Sequence, residues 1–79
     1  MRITVLFFGA TADIAGRRRH EINTQLQTSA KNVFDQILAE HPRLGGHKLH
    51  FSVNQQYATG EEILNDGDEL AIFTAVSGG

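Results

Sequence analysis

The hydrophobic positions of this chain follow two different periods. Residues 3–8, ITVLFF, are a dense β-branched and aromatic run that reads as a buried strand ended by Gly9. Alternation along it sends Ile3, Val5 and Phe7 to one face, and Thr4, Leu6 and Phe8 to the other. Residues 10–16, ATADIAG, suit a short helix closed by Gly16. Residues 17–24, RRRHEINT, are polar, yet Ile22 and the β-branched Thr24 allow an outer strand paired with the first.

The period then becomes helical. Ala30, Val33, Phe34, Ile37, Leu38 and His41 recur at helix spacing, with Thr28 or Ser29 as N-cap and Pro42 as the stop. Residues 43–47, RLGGH, read as a loop. Leu49, Phe51 and Val53 alternate with His50 and Ser52 as a half-buried strand. Asn54, Gln55 and Gln56 read as a turn, and Tyr57 as the start of a short strand. A turn at Asp66-Gly67 leads into a last strand over residues 69–73.

A helix with one apolar stripe must lie across one face of a sheet. The order of two strands, one long helix and two or three strands predicts an α+β fold of the β-grasp, ubiquitin-like kind. Its mixed sheet has four to five strands, with the first and last strands central and the main helix packed across one face. Residues 1–79 read as a single domain, with 74–79 a flexible C-terminal tail.

Composition narrows the chemistry. Seventy-nine residues bury only about 60% of the unfolded surface, but a hydrophobic share of 41% supplies one core. A charged share of 20% and a net charge of -2 do not suggest a nucleic-acid footprint. Met1-Arg2 leads straight into strand-like residues without a long apolar run, so neither a signal peptide nor a membrane span is expected, and the cytoplasm is. There is no cysteine, which removes disulfides, iron–sulfur clusters and thiol nucleophiles together.

Few side chains offer chemistry. His47 and His50 sit across a loop-to-strand junction that does not put both rings on one side, and His20 and His41 stand alone, so no metal and no bound cofactor is expected. Arg17-Arg18-Arg19 reads as a charge-protected edge strand, or else as a contact for an acidic partner. Asp66-Gly67-Asp68 is explained by a β-turn rather than by calcium. No glycine-rich phosphate loop and no catalytic triad are present.

Two features remain. Phe8 and Phe73 fall on the face opposite the helix, where they form an apolar partner surface unless loops cover them. The other is the terminal AVSGG. Six residues from Thr74 to Gly79 can extend about 20 Å, and a glycine pair enters channels too narrow for side chains. The α-carboxylate of Gly79 is ionised at neutral pH and is a fair nucleophile toward the α-phosphate of ATP. Once adenylated it can accept sulfide and become a thiocarboxylate. Nothing on this chain could bind ATP, so that step belongs to a partner.

The opening ITVLFFGATADIAG, the VNQQY after the middle strand and the closing NDGDELAIFTAVSGG together resemble the small subunits of molybdopterin synthase, the ubiquitin-like sulfur carriers of molybdenum cofactor synthesis. The resemblance spans the whole chain, although Gly-Gly by itself is shared with the thiamin sulfur carrier and with ubiquitin-like modifiers. It implies that an E1-like adenylyltransferase uses ATP to activate Gly79, and that a sulfur donor system converts it to a thiocarboxylate. Val76, Ser77 and Gly78 then enter the large catalytic subunit. Sulfur passes to cyclic pyranopterin monophosphate (precursor Z), two carriers serving one heterotetramer.

The small subunit is not an enzyme alone, and neither nucleic acid nor membrane is implied. Partner contacts in this family fall near the positions of Phe8 and Phe73. Thr74-Ala75 stands where the family often has Pro-Pro, which implies a less stiff tail, and Ala12-Asp13 replaces a frequent Arg-Glu. Two other readings share the Gly-Gly: a sulfur carrier for thiamin or tRNA thiolation, and a modifier or interaction domain whose terminus forms isopeptide bonds.

Overall fold

The computed structural model describes residues 1–74; residues 75–79 lie outside the description. Among the described residues the elements are β1 (Arg2–Phe7), α1 (Ala10–Ala15), β2 (Arg19–Asn23), α2 (Ala30–Glu40), a 3₁₀ turn (Pro42–Gly46), β3 (Leu49–Val53), β4 (Gln56–Tyr57) and β5 (Glu69–Thr74). They form one mixed sheet in the order β2-β1-β5-β3-β4. β1 and β5 are parallel and every other pairing is antiparallel. This is the β-grasp arrangement, with first and last strands side by side.

Alternation decides what each strand buries. Ile3, Val5 and Phe7 of β1 and Leu70 and Ile72 of β5 are buried on the helix side. α2 lays Ala30, Val33 and Ile37 onto them, and Ile22, Leu44 and Leu64 close the rim. Phe34 of α2 stacks on Phe51 of β3 with ring centres 4.6 Å apart. The Ser29 hydroxyl caps α2 by accepting from the Asn32 N–H at 3.1 Å. α1 ends as expected, with Gly16 in the left-handed region.

Four local readings change. Pro42 does not lead into a loop: it opens the 3₁₀ turn that drives Leu44 fully into the core. A proline's fixed φ suits the first position of such a turn, and its missing N–H costs nothing there. Thr74 belongs to β5, paired with Leu49, rather than to the tail, because the antiparallel register with β3 continues through it. The β3–β4 hairpin turns on Asn54 and Gln55 alone, both at positive φ, which leaves Gln56 in the strand. Asn54 also ties this turn to the start of β5, donating to Asp68 and accepting from the Glu69 N–H, both at 3.0 Å. The outer strand, finally, is shorter than residues 17–24.

The loop before β5 docks on the start of α2. The Ala30 N–H donates to Glu62 O at 2.8 Å, and the Lys31 N–H to Gly60 O at 3.0 Å. These acceptors satisfy helix N–H groups that have no partner inside the helix. Gly60 sits at φ +107°, and a Cβ there would meet Lys31 Cβ at 3.3 Å. Gly60→Ala should therefore destabilise the domain by about 1–3 kcal/mol, read from the urea midpoint at unchanged slope.

The Glu62 carboxylate accepts from the Thr59 and Gly60 N–H groups, each at 2.8 Å. Hydrogen bonds led by that from Thr59 hold its pKa below the usual carboxylate value. A lowered folded pKa gives stability that is present above the ordinary carboxylate range and lost as pH falls through the lowered value. Glu62→Gln should thus be less stable than the parent at neutral pH, the gap closing on acidification. A gap that does not change with pH would contradict this.

Candidate functional site

β5 occupies the middle of the sheet, held on one side by β1 and on the other by β3. Its last described residue is Thr74, so the described chain ends on a central strand. Val76, Ser77, Gly78 and Gly79, the tail residues singled out in the sequence, lie outside the described residues.

The base of that strand is braced from the side. Thr11 of α1 is fully buried, and its hydroxyl lies 2.7 Å from Phe8 O and 2.9 Å from Ile72 O. One hydroxyl proton serves two carbonyls, which pins α1 across the ends of β1 and β5. The Phe8 N–H adds a bond to Ile72 O at 3.1 Å. Sequence reading misses Thr11, because one threonine in a six-residue helix carries no periodic signal.

The sheet face away from α2 is where the exposed aromatic residues gather. Register places Leu6 beside Ala71 and, across β5, Ala71 beside Ser52, with Phe73 beside His50. Phe8 follows directly after β1 and is 52% exposed, so no loop covers it. Phe73 is half-buried: the His50 ring lies 6.0 Å from it in a stacked arrangement, and the Tyr57 ring lies 5.8 Å away edge-on. Tyr57 itself is 80% exposed.

The predicted pair therefore belongs to a larger patch of Phe8, Phe73, His50 and Tyr57. His50 was legible by parity, since it alternates with Leu49 and Phe51. Tyr57 was not, because its face depends on the length of the Asn54–Gln55 turn.

Charge borders the patch on the β2 side. Arg19 pairs with Glu21 at 3.1 Å, and Arg2 approaches the same carboxylate at 4.0 Å. An open groove of about 410 Å³ runs between Phe8, Asp13 and Arg18. An exposed aromatic surface with a charged rim, beside the last strand, is the kind of surface on which other proteins dock.

The four histidines sort differently from the sequence expectation. His47 and His50 contribute to no common cluster among the described residues. His20 and His41, isolated in sequence, come together with Glu40. The reason is topological: β2 is an edge strand whose inward-facing His20 meets the C-terminal end of α2. No helix among the described residues is long and apolar enough to cross a membrane.

Comparison with known proteins agrees with this geometry. The ThiS family model matches residues 5–79. A molybdopterin synthase sulfur carrier subunit from Mycobacterium tuberculosis is 35% identical, over 100% of this chain and 99% of that protein. One from Chlamydomonas reinhardtii is 34% identical, with both chains covered in full. Among solved structures, SAMP1 (a small archaeal modifier protein) from Haloferax volcanii superimposes with a TM-score of 0.85 at 26% identity, covering 100% of each chain.

Proposed function

This chain belongs to the ThiS family, and from that premise we propose that it is a sulfur carrier whose reactive group is the α-carboxylate of Gly79. The observation that carries the reading is the end-to-end match, 100% against 99% of length, to a molybdopterin synthase sulfur carrier subunit. The chemistry asks little of the folded part. A carboxylate oxygen of Gly79 attacks the α-phosphorus of ATP, and pyrophosphate leaves. Sulfide from a donor then attacks the acyl carbon, AMP leaves, and a thiocarboxylate remains. ATP is held by an E1-like activating enzyme, and the chain needs no cofactor of its own.

Delivery is the role of the domain. Val76, Ser77 and Gly78 carry the thiocarboxylate into the large catalytic subunit, where two carriers supply the two sulfurs of the dithiolene on cyclic pyranopterin monophosphate. Phe8 and Phe73 anchor both partnerships. Residues 1–79 act as one domain in the cytoplasm, where the ATP-dependent partner works. What supports delivery is that the described chain ends on a central strand braced by Thr11, beside an uncovered aromatic patch.

The test is reconstitution from the purified chain, activating enzyme, ATP, a sulfide source, large subunit and cyclic pyranopterin monophosphate. Molybdopterin should form, and only with all components present. A thiocarboxylate that forms but yields no molybdopterin, while supporting thiazole synthesis or tRNA thiolation, would move the chain to one of those pathways. The likeness to SAMP1 favours a second reading, covalent attachment of Gly79 to lysines, for which conjugates of the chain in cell extracts are the readout.

A further inference from the structure

We propose that His20, Glu40 and His41 form a site for a divalent transition-metal ion of the zinc class, independent of the sulfur-carrying terminus. One ligand atom from each residue lies within 4.8 Å of the others. A tetrahedral ion with bonds of about 2.0–2.2 Å needs donors roughly 3.4 Å apart, so side-chain rotations closing at most about 1.4 Å complete the set. Two imidazoles and one carboxylate leave a fourth position for water. That donor set suits zinc and its neighbours rather than magnesium or calcium, which prefer oxygen alone.

Three further observations support the cluster as a ligand site. The His20 Nδ1 is sealed from solvent and has no hydrogen-bond partner among the described residues, so its ring keeps a nitrogen free to coordinate. The Glu40 carboxylate enters no ion pair among the described residues, and Arg19, next to His20 in sequence, is engaged by Glu21. The cluster also sits at the C-terminal end of α2, where the backbone carbonyls present partial negative charge. No basic residue occupies the last turn of that helix.

His41 is in addition oriented by an edge contact with Phe7, ring centres 5.7 Å apart, which holds one donor in place before an ion arrives. An ion here would join the end of α2 to the edge strand β2, and it would stabilise the domain by mass action.

The test titrates the untagged full-length chain with zinc chloride, following histidine ring resonances by NMR and the thermal midpoint. One ion should bind per chain, the His20 and His41 ring signals should move while those of His47 and His50 stay, and Tm should rise with zinc but not with magnesium. Glu40→Gln, an exposed change that leaves the core untouched, and His20→Asn should each weaken binding by at least the roughly tenfold that losing an outer-shell partner costs. The double variant His47→Gln/His50→Gln should bind as the parent does. No saturable binding in millimolar zinc, shifts centred on His47 or His50, or parent-like binding by either single variant would overturn the proposal.

Discussion

Adding one residue after Gly79, or deleting Gly79, should abolish sulfur transfer while the thermal midpoint of the domain stays where it was. The two halves of this result have separate causes. On the proposed reading, an added residue would move the α-carboxylate away from the glycine pair and put a side chain where only glycine is expected to pass. A deletion shortens the reach by about 3.3–3.6 Å, more than a reacting carboxylate can tolerate when near-attack distances are about 3–3.5 Å.

Stability should hold because neither variant changes any core residue found among the described residues, from Ile3 to Ile72. Activity is read as molybdopterin formed in the reconstituted system, and the midpoint by circular dichroism. An extended chain that still transfers sulfur would place the reactive group elsewhere.

Phe8→Asp should weaken binding to the large subunit by about 2 kcal/mol or more, close to a thirtyfold rise in Kd. Phe8 is 52% exposed, so the domain loses little by the change, within about 0.5 kcal/mol for a surface site. Phe73→Asp acts at the same surface but reports on two things at once. It removes ring contacts with His50 and Tyr57, and it sets a charge on the central strand beside them. Its binding loss should match or exceed that of Phe8→Asp, with a measurable fall in stability added. Calorimetric titration and the urea midpoint separate the two contributions. An unchanged Kd with lowered stability would make these residues supports of the fold and no more.

Most of the fold was legible because its signals are local and agree with one another. β1 is unbroken in β-branched and aromatic residues, and α2 carries a cap, an apolar stripe and a proline stop. The central position of β5 was legible only through the β-grasp order of elements as a whole, not from any residue of its own. The exposed side of Phe8 followed from parity alone.

What escaped depends on contacts distant in sequence. Leu44 stands between an arginine and two glycines, a context that reads as loop, yet the 3₁₀ turn buries it completely. Thr11 is one polar residue in a six-residue helix, and its role appears only when β1 and β5 lie side by side. His20 and the Glu40-His41 pair are about twenty residues apart, and His20 has no second ligand at short spacing to signal a site. Only the closure of α2 against the β2 edge brings them together. Tyr57 joins the aromatic patch because two residues at positive φ complete a tight hairpin, and glutamine in that position gives little warning of it.

The decisive measurement is the intact mass of the chain purified from cells that carry its own activating enzyme and sulfur donor. A fraction heavier by the exchange of one oxygen for sulfur, with the difference confined by fragmentation to the last glycine and absent when the activating enzyme is deleted, is the expected result. A chain that never carries sulfur there, under conditions in which its partners are active, would contradict the account.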